Sequence, residues 1–574
     1  MKEFEYNLEL EELKKRTDAE YLIIKKFLDT DSKEYKELED GDKKALVYLV
    51  KAAVIIDKIY MQLDNVHNLD VLSWLKTKEE SGDEKAKLTL KLFYGQKGVN
   101  AIDNMSNEVQ LIKGIDNKPG KGFYPEDLSK EDFHSILAKM IDNGKIDGVK
   151  SILTQRSVVV RDGNELKGID YTDFFKEDFS TVADLLDKAS EYSTNNDFNE
   201  YLVLQAKALR KADPMLDAYA DKKWAMLQDT PLEFTITREA YEDEMTTTIM
   251  ENEKLQKLLE DNKIEVLTKD SLGCRVGIVN KEGTNKLLKI KEFLPLLANS
   301  MPYSDKYKQL ISSDDDKQTM VDVDMVIAAG DVGAYRGGIT LAENLPNDDK
   351  LTFKIGGGRR NVYHRQVRFV SDIDKLQRKL NEVLDKEQHK YYDEEADHLA
   401  TIGHENAHTL GPKENQEKLG KYSDIIEENK ADMASLAFLD LLVEKGMYSK
   451  IERDQIIVTE VVLNFLKSKP VLSQAHRVRT VMQNKYFFDN GGYEITADEK
   501  IKVNIDTIPQ IAYRMLVEII KIQMSGDFNE AEKYVNKYFV WTKEMQVIAE
   551  KLQKVDKTLN GCVENKLADS LLNK

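Results

Sequence analysis

"TIGHENAHTLGP", residues 401–412, places His404 and His408 four positions apart, with Glu405 directly after the first histidine. On a helix, residues four apart lie one turn apart on the same face, so both imidazoles can reach one metal ion. Glu405 lies beside them, where its carboxylate can take a proton from a water activated at that ion. The stretch therefore predicts a helix with two zinc ligands and a general base, and the glycine and proline after it end that helix.

A third ligand is expected in residues 422–446, "YSDIIEENKADMASLAFLDLLVEKG", which have helical periodicity and hold three carboxylates close together: Glu427, Glu428 and Asp432. At this histidine content an H-E-x-x-H pattern occurs by chance in roughly one chain in a hundred, so more is needed. Glu428 and Asp432 share a helix face, so one can bind the metal while the other orients a ligand histidine. About three in four isolated acidic helices are only solvated faces, and Lys430 fits that explanation. So soon after the two histidines, a metal ligand becomes the favoured explanation of these carboxylates, because two imidazoles and one carboxylate leave the fourth zinc position open for water.

One further histidine is a candidate. His476 lies in "PVLSQAHRVRTVMQNKYFFDNGG", a third helical stretch, where a single histidine is a structural hydrogen-bonder about twice as often as a catalyst. Cys274 and Cys562 are far apart and match no C-x-x-C pattern, so any metal must be held by histidines and carboxylates.

The charge balance limits the class of partner. The 574 residues include 84 basic and 103 acidic side chains, a net charge of −19. A field of this sign repels phosphate backbones and argues against nucleic acid as a partner. No apolar stretch is long enough to cross a membrane, and the acidic N-terminus has no apolar secretion signal, which predicts a cytoplasmic protein without a membrane partner.

Periodicity predicts an α+β protein. Residues 20–63 and most of the chain after 371 have helical periodicity, and residues 150–180 carry β-branched runs around "RDGN", as in a hairpin. Strand-like runs collect after residue 231: "LEFTITREAY", "KIEVLTKD" and "CRVGIVN". We expect three consecutive regions: a mostly helical region (1–230), a mixed region with a β-rich core and substrate-binding segments (231–370), and a helical zinc-binding region (371–574).

Taken together, "HENAHTLGP", "YSDIIEENKADMASL" and "SQAHRVRTVMQNKYFF" resemble the dipeptidyl peptidase III family, and most closely its shorter branch with a five-residue metal motif. Other segments also match: "KGFYPEDLSKEDF", "EAYEDEM" and "GGITLAENLPNDDK". The resemblance implies two lobes around a wide cleft, a mostly helical lobe that carries zinc and a second lobe with a β-barrel-like core. It implies a zinc exopeptidase, with one Zn²⁺ per chain, that removes dipeptides from the free N-terminus of short peptides.

The resemblance also implies roles for single residues. The zinc ligands would be His404, His408 and Glu428, with Glu405 as general base and then acid. Asp432 and Glu427 would orient the ligand histidines. His476 and Tyr241 would stabilise the transition state. Glu239 would bind the peptide's ammonium group, and Asn344 and Asn347 would hold its N-terminal backbone. Fixing the ammonium at a set distance from zinc would place the second peptide bond over the metal.

Two departures from the family pattern stand out. Asn406 is polar where the metal motif usually holds an apolar residue, and Thr480 stands where the long branch has an arginine, with Arg477 and Arg479 nearby. Two other functions stay open. One is a thermolysin-like zinc endopeptidase or aminopeptidase, and the other is a peptide-binding protein that has lost turnover. The intact Glu405 argues against the second.

Overall fold

The computed structural model describes the chain in eleven segments: residues 2–102, 108–240, 243–307, 319–330, 342–345, 351, 354–358, 360–367, 373–472, 474–557 and 560–573. The protein is α+β and 61% helical, as the periodicity predicts. The chain forms two compact units, each built from separate stretches of sequence. We call them the sheet unit (Met1–Asn280, Lys317–Val367 and Thr558–Lys574) and the helical unit (Lys281–Asp316 and Arg368–Lys557).

A five-stranded mixed sheet, curled into a half-barrel, forms the centre of the sheet unit. Its strands are β1 (Leu232–Ala240), β2 (Asp270–Val279), β3 (Thr319–Gly330), β4 (Ala342–Leu345) and β5 (Arg360–His364). The order is β1-β2-β3-β5-β4, and β5 runs parallel to β3 while the other pairs are antiparallel. Every residue of β2 is buried, as expected for a central strand covered on both faces.

Two sequence predictions in this unit are wrong. Leu22–Lys26, predicted as helix, is a strand that pairs in parallel with Asn560–Glu564, a partner too distant for periodicity to reveal. "KIEVLTKD" is not a strand before Asp270, because its backbone bonds to a loop, with Leu267 N–H donating to Leu153 O. The predicted hairpin is confirmed, since Ser157–Asp162 pairs antiparallel with Glu165–Asp170.

Helices surround the sheet, and the longest, Asp40–Asp64, packs on β2 and β3. Its apolar residues recur every three or four positions and are buried, so one stripe of the helix faces the sheet. The helices of this unit are Leu10–Thr17, Lys33–Lys36, Asp40–Asp64, Asn68–Glu80, Glu84–Gln96, Lys130–Asp142, Ile146–Ile152, Tyr171–Phe174, Lys176–Tyr192, Asn196–Arg210, Pro214–Ala225, Glu244–Thr247, Glu253–Asp261 and Lys566–Leu572. A third two-stranded pair of this unit joins Asn100–Ile102 to Glu108–Gln110.

The helical unit contains the helices that hold the predicted zinc ligands. Four of them are labelled α1 (Glu394–Ala407), α2 (Ser423–Ala437), α3 (Ala475–Asp489) and α4 (Ile508–Ser525). The others are Lys281–Ser300, Ile373–Val383, Leu439–Glu444, Lys450–Leu463, Phe528–Tyr538 and Lys543–Val555, with one hairpin of Tyr493–Ile495 and Ile501–Val503. Helix α2 packs against α1, α3 and α4 at once, so polar side chains on several of its faces are buried and need partners.

The α+β fold class and the helical C-terminal half are confirmed. The division into three consecutive regions (1–230, 231–370 and 371–574) stays a prediction. In the part of the chain that the structure describes, no helix is long and apolar enough to cross a membrane.

Candidate metal centre

Helix α1 brings the two histidines of the motif to its C-terminal end. Asp393 caps the other end, and its carboxylate accepts hydrogen bonds from the N–H groups of Glu395 (2.9 Å) and Ala396 (3.2 Å). The helix ends at Ala407, ahead of the glycine and proline that were expected to end it. His408 keeps helical backbone angles (φ −60°, ψ −27°), so it still lies one turn beyond His404.

Three side chains, from α1, from the residue that follows it and from α2, converge on one point. The Nε2 atoms of His404 and His408 are 3.1 Å apart, and the two rings are perpendicular. The carboxylate of Glu428 on α2 lies 3.3 Å from Nε2 of His404 and 3.9 Å from Nε2 of His408. The ligand atoms of all three residues lie within 4.8 Å of one another, close enough to bind one ion.

The other nitrogen of each histidine faces a carboxylate of α2. Asp432 Oδ1 is 2.6 Å from Nδ1 of His404, and Glu427 Oε1 is 3.1 Å from Nδ1 of His408. Each Nδ1–H can donate to its carboxylate, which leaves the Nε2 lone pair directed at the shared point. The arrangement is the usual one for metal-binding histidines.

The donor set fits a zinc ion. Oε2 of Glu428 is buried, and Nε2 of His404 (3.3 Å) and Nδ1 of His476 (3.0 Å) lie beside it, but neither forms a hydrogen bond to it in suitable geometry. A buried carboxylate oxygen without a well-aligned hydrogen bond is costly unless a cation satisfies it. Two imidazole nitrogens and one carboxylate oxygen are the protein ligands of many catalytic zinc sites.

Charges around the centre keep its carboxylates ionised. Burial opposes the charge on Glu428, but the imidazoles of His404 and His476 outweigh burial and hold its pKa well below its usual range. Burial also opposes the charge on Glu427, and the nearby ammonium of Lys430 is the largest effect that holds the pKa of Glu427 well below its usual range.

Glu427 is fixed by four donors besides His408. Nζ of Lys413 and Nζ of Lys430 both lie 2.9 Å from its Oε1, while the side-chain amides of Gln416 (2.6 Å) and Gln523 (2.9 Å) donate to Oε2. These contacts leave Glu427 little freedom to rotate. It therefore presents a fixed acceptor to His408.

Lys430 is fully buried, so the solvated-face explanation of this helix is wrong. Its ammonium donates to three main-chain oxygens at the end of α1: Ala407 O (2.8 Å), His408 O (3.2 Å) and Leu410 O (2.8 Å). Carbonyl groups at a helix C-terminus have no partners within the helix, and a lysine is a suitable donor for them. Lys430 thus ties the helix of the two histidines to the helix of the carboxylates.

The expected general base is next to this cluster. Glu405 is partly exposed, and within the described part of the chain no hydrogen bond or ion pair engages its carboxylate. The neighbouring departure from the family pattern is accommodated inside α1, because Asn406 is buried and its side-chain amide donates to Ile402 O at 2.9 Å.

The first turn of α3 faces Glu428. Nδ1 of His476 lies 3.0 Å from Oε2 of Glu428, and the His476 side chain is 70% exposed. The Glu428 carboxylate raises the pKa of His476 above its ordinary value, while partial burial opposes this. Thr480 is buried, and its hydroxyl donates to His476 O, a main-chain oxygen of the same helix.

The substrate-binding residues expected in the sheet unit are only partly described. Glu239 lies in β1 opposite Ser271 of β2, and Asn344 lies in β4 opposite Asn361 of β5. The side chains of Glu239 and Asn344, and the whole of Tyr241 and Asn347, lie outside the described residues. The structure thus brings together His404, Glu405, His408, Glu427, Glu428, Asp432 and His476.

Comparisons with known proteins agree with this fold. No family model matches the sequence. The structure of DPP III from Caldithrix abyssi superposes with a TM-score of 0.79 at 24% identity, covering 96% of this chain and 99% of that one. Dipeptidyl-peptidase III from Corallococcus sp. strain EGB superposes with a TM-score of 0.70 at 22% identity, covering 99% of each chain.

The chain has the dipeptidyl peptidase III fold. This confirms the α+β fold that the sequence resemblance implied. A curated relative, Nudix hydrolase 3 of Arabidopsis thaliana, is 24% identical over an alignment of 596 residues. The alignment covers 94% of this chain and 72% of that protein.

Proposed function

We propose that this protein is a zinc-dependent metallopeptidase that removes dipeptides from the free N-terminus of short peptides. The observation that carries the proposal is the cluster of ligand atoms from His404, His408 and Glu428 within 4.8 Å. Nδ1 of each histidine faces a carboxylate, as is common for metal-binding histidines. The shared fold supports the same class of enzyme.

Each residue of the centre has a distinct task. A zinc ion held by the three ligands would polarise the scissile carbonyl and lower the pKa of a water molecule. Glu405, beside His404, takes the proton of the attacking water and returns it to the leaving amine. Its carboxylate has no competing partner among the described residues, so it is available for both transfers.

Two further residues would act on the transition state. His476 lies 3.0 Å from Glu428 and is mostly exposed, so its ring can donate to an oxygen that gains negative charge beside the zinc ligands. The Glu428 carboxylate raises the pKa of His476, which favours the donor form. Tyr241 would supply a second donor to that oxygen.

Release of two residues at a time requires an anchor for the peptide's N-terminus. Glu239 would bind the α-ammonium, and Asn344 and Asn347 would hold the first backbone groups. Asn344 lies on β4, the last strand in the order of the sheet, and an extended peptide can add to such an edge by main-chain hydrogen bonds. These three roles rest on the sequence resemblance.

The test is mass spectrometry of products from peptides of about four to ten residues, half of them N-acetylated, incubated with the zinc-loaded protein. Stepwise loss of dipeptides from the free-amine peptides alone is the expected result. Internal cuts in both sets would identify a zinc endopeptidase, and loss of single residues an aminopeptidase. Binding without cleavage would identify a peptide-binding protein.

The matched variants are Glu405→Gln and Glu417→Gln. Glu417 lies on a different segment, outside the cluster of ligand and supporting side chains, so its amide should leave turnover unchanged. Glu405→Gln should abolish hydrolysis and keep peptide affinity, because the amide cannot take a proton. If Glu405→Gln hydrolyses peptides as fast as the unmodified protein, the mechanism is wrong.

A further inference from the structure

Arg479 lies one turn after His476 on α3, so both side chains project from nearby positions on the helix. Its side chain is 14% exposed, and its guanidinium forms an ion pair with Oδ2 of Asp432. Nε of Arg479 also lies 3.9 Å from Oε2 of Glu428. One arginine therefore contacts a zinc ligand of the proposed centre and the carboxylate behind another ligand.

Helix α3 holds the oxygen of Asp432 that does not face His404. Oδ1 faces the histidine at 2.6 Å, while Oδ2 receives Arg479 and the side-chain amide of Gln483, which donates at 2.9 Å. A carboxylate held at one oxygen can rotate, whereas contacts at both oxygens fix its plane. The orientation of His404 therefore depends on two side chains of α3.

The two ligand histidines have different electrostatic surroundings. Behind His408, one carboxylate, Glu427, is paired with two lysines, each with Nζ 2.9 Å from Oε1. Beside His404, two carboxylates, Asp432 and Glu428, share Arg479. The His404 side is thus more anionic, and the loss of Arg479 would leave two adjacent carboxylates without this guanidinium.

We propose that Arg479 is a positioning residue of the metal centre, which acts through Asp432 to orient His404. The inference rests on the proposed function, because it assumes that the centre binds zinc. It also assigns a role to one of the two arginines close to Thr480. An arginine at this position could instead bind the C-terminal carboxylate of a peptide substrate; we assign Arg479 to the zinc ligands and not to that role.

The sign of the change in zinc affinity tests this role. If Arg479 acted by its charge alone, its removal would tighten zinc binding, because a positive charge would leave the neighbourhood of a cation site. If Arg479 positions Asp432, its removal should weaken zinc binding by about 10- to 100-fold, the usual effect of losing a partner behind a metal ligand. The two explanations predict opposite directions.

The experiment measures the zinc dissociation constant by competition with a chromophoric chelator. The proteins are the unmodified chain, Arg479→Met, Arg479→Lys, Asp432→Asn and the double variant Arg479→Met/Asp432→Asn. Arg477→Met is the matched control. Arg477 lies on the same helix, and its guanidinium contacts Gln474 and Ser468, each at 3.4 Å.

We expect weaker zinc binding for Arg479→Met, partial recovery for Arg479→Lys and no change for Arg477→Met. In the Asp432→Asn background the further loss on removing Arg479 should nearly disappear, because both changes break the same chain of contacts. Equal losses in the two backgrounds would overturn the proposal, as would tighter or unchanged zinc binding in Arg479→Met.

A substrate role would give a different pattern. If Arg479 bound the substrate's carboxylate, Arg479→Met would raise KM for peptides with a free C-terminus, leave KM for amidated peptides unchanged and leave zinc affinity intact. That result would also overturn the proposal. Failure of the unmodified protein to bind zinc would contradict the proposed function itself. Equal zinc affinity in the unmodified protein and in Arg479→Met would contradict only the role of Arg479.

Discussion

Replacing Lys430 with methionine should destabilise the helical unit strongly, because it removes a buried ammonium and keeps most of the side-chain volume. Three main-chain oxygens of residues 407, 408 and 410 would lose their donor, and Glu427 would lose one of its two lysines. A hydrogen bond to a charged group contributes about 1.5–3 kcal/mol, and the desolvation of the lysine offsets part of the sum. Removing one member of a buried ion pair costs about 3–5 kcal/mol in net terms, which is the loss we expect.

Lys413→Met is the matched control, since Lys413 contacts the same oxygen of Glu427 at the same distance of 2.9 Å. Lys413 is 26% exposed, so water screens its ion pair and can replace it. Its loss should cost about 1 kcal/mol or less. Both lysines neutralise Glu427, but of the two only Lys430 donates to the main-chain oxygens at the end of α1. The difference between the two variants therefore measures the contribution of those main-chain contacts.

The assay is urea unfolding of the metal-free proteins, followed by circular dichroism. Hydrogen exchange of peptides that cover residues 402–412 would show where the loss occurs. Exchange there should be faster in Lys430→Met and unchanged in Lys413→Met. If both variants lose the same free energy of unfolding, or if exchange in this segment does not change, Lys430 does not hold the end of α1.

Two other predictions concern zinc and pH. Glu428→Ala should lose zinc on dialysis, because only two protein ligands would remain, and full metal content would reject Glu428 as a ligand. Burial lowers the pKa of Lys269 to about 7 from an ordinary value of 10.5, although Asp243 and Asp270 oppose this. Between these values the unfolded chain binds more protons than the folded one, so the free energy of unfolding should rise with pH, by up to about 1.4 kcal/mol per unit. Urea unfolding at several pH values should show this rise reduced in Lys269→Met, and parallel profiles would contradict the assignment.

The convergence of the candidate ligands was predictable from sequence because their spacing is local. His404 and His408 are one helical turn apart, and Glu428 and Asp432 are one turn apart on the next ligand helix, so spacing alone brings each pair to one face. The sheet was less predictable. Alternation and β-branched runs indicate strands such as β1 and β2, but they carry no information on which strands become neighbours.

The residues that support the ligands were misjudged or missed for a related reason. Lys430 looked like part of a solvated face, because sequence does not reveal that α2 is covered by α1, α3 and α4. Arg479 and Gln483 contact Asp432 from about 50 positions further along the chain, and no spacing rule connects residues so far apart.

This difference between ligands and supports has a consequence for how such sites are recognised. A chain could keep the H-E-x-x-H spacing and the carboxylates of α2 and still lose the centre, if α3 no longer fixed Asp432 or if Lys430 no longer held the end of α1. The motif specifies which atoms can bind zinc, whereas the packing of α2 among its neighbours decides whether those atoms are held at binding distance. The Nδ1 contacts of His404 and His408 with carboxylates of α2 therefore support a metal centre more strongly than the motif does. These contacts form only if the motif is present and α2 is also packed correctly against α1.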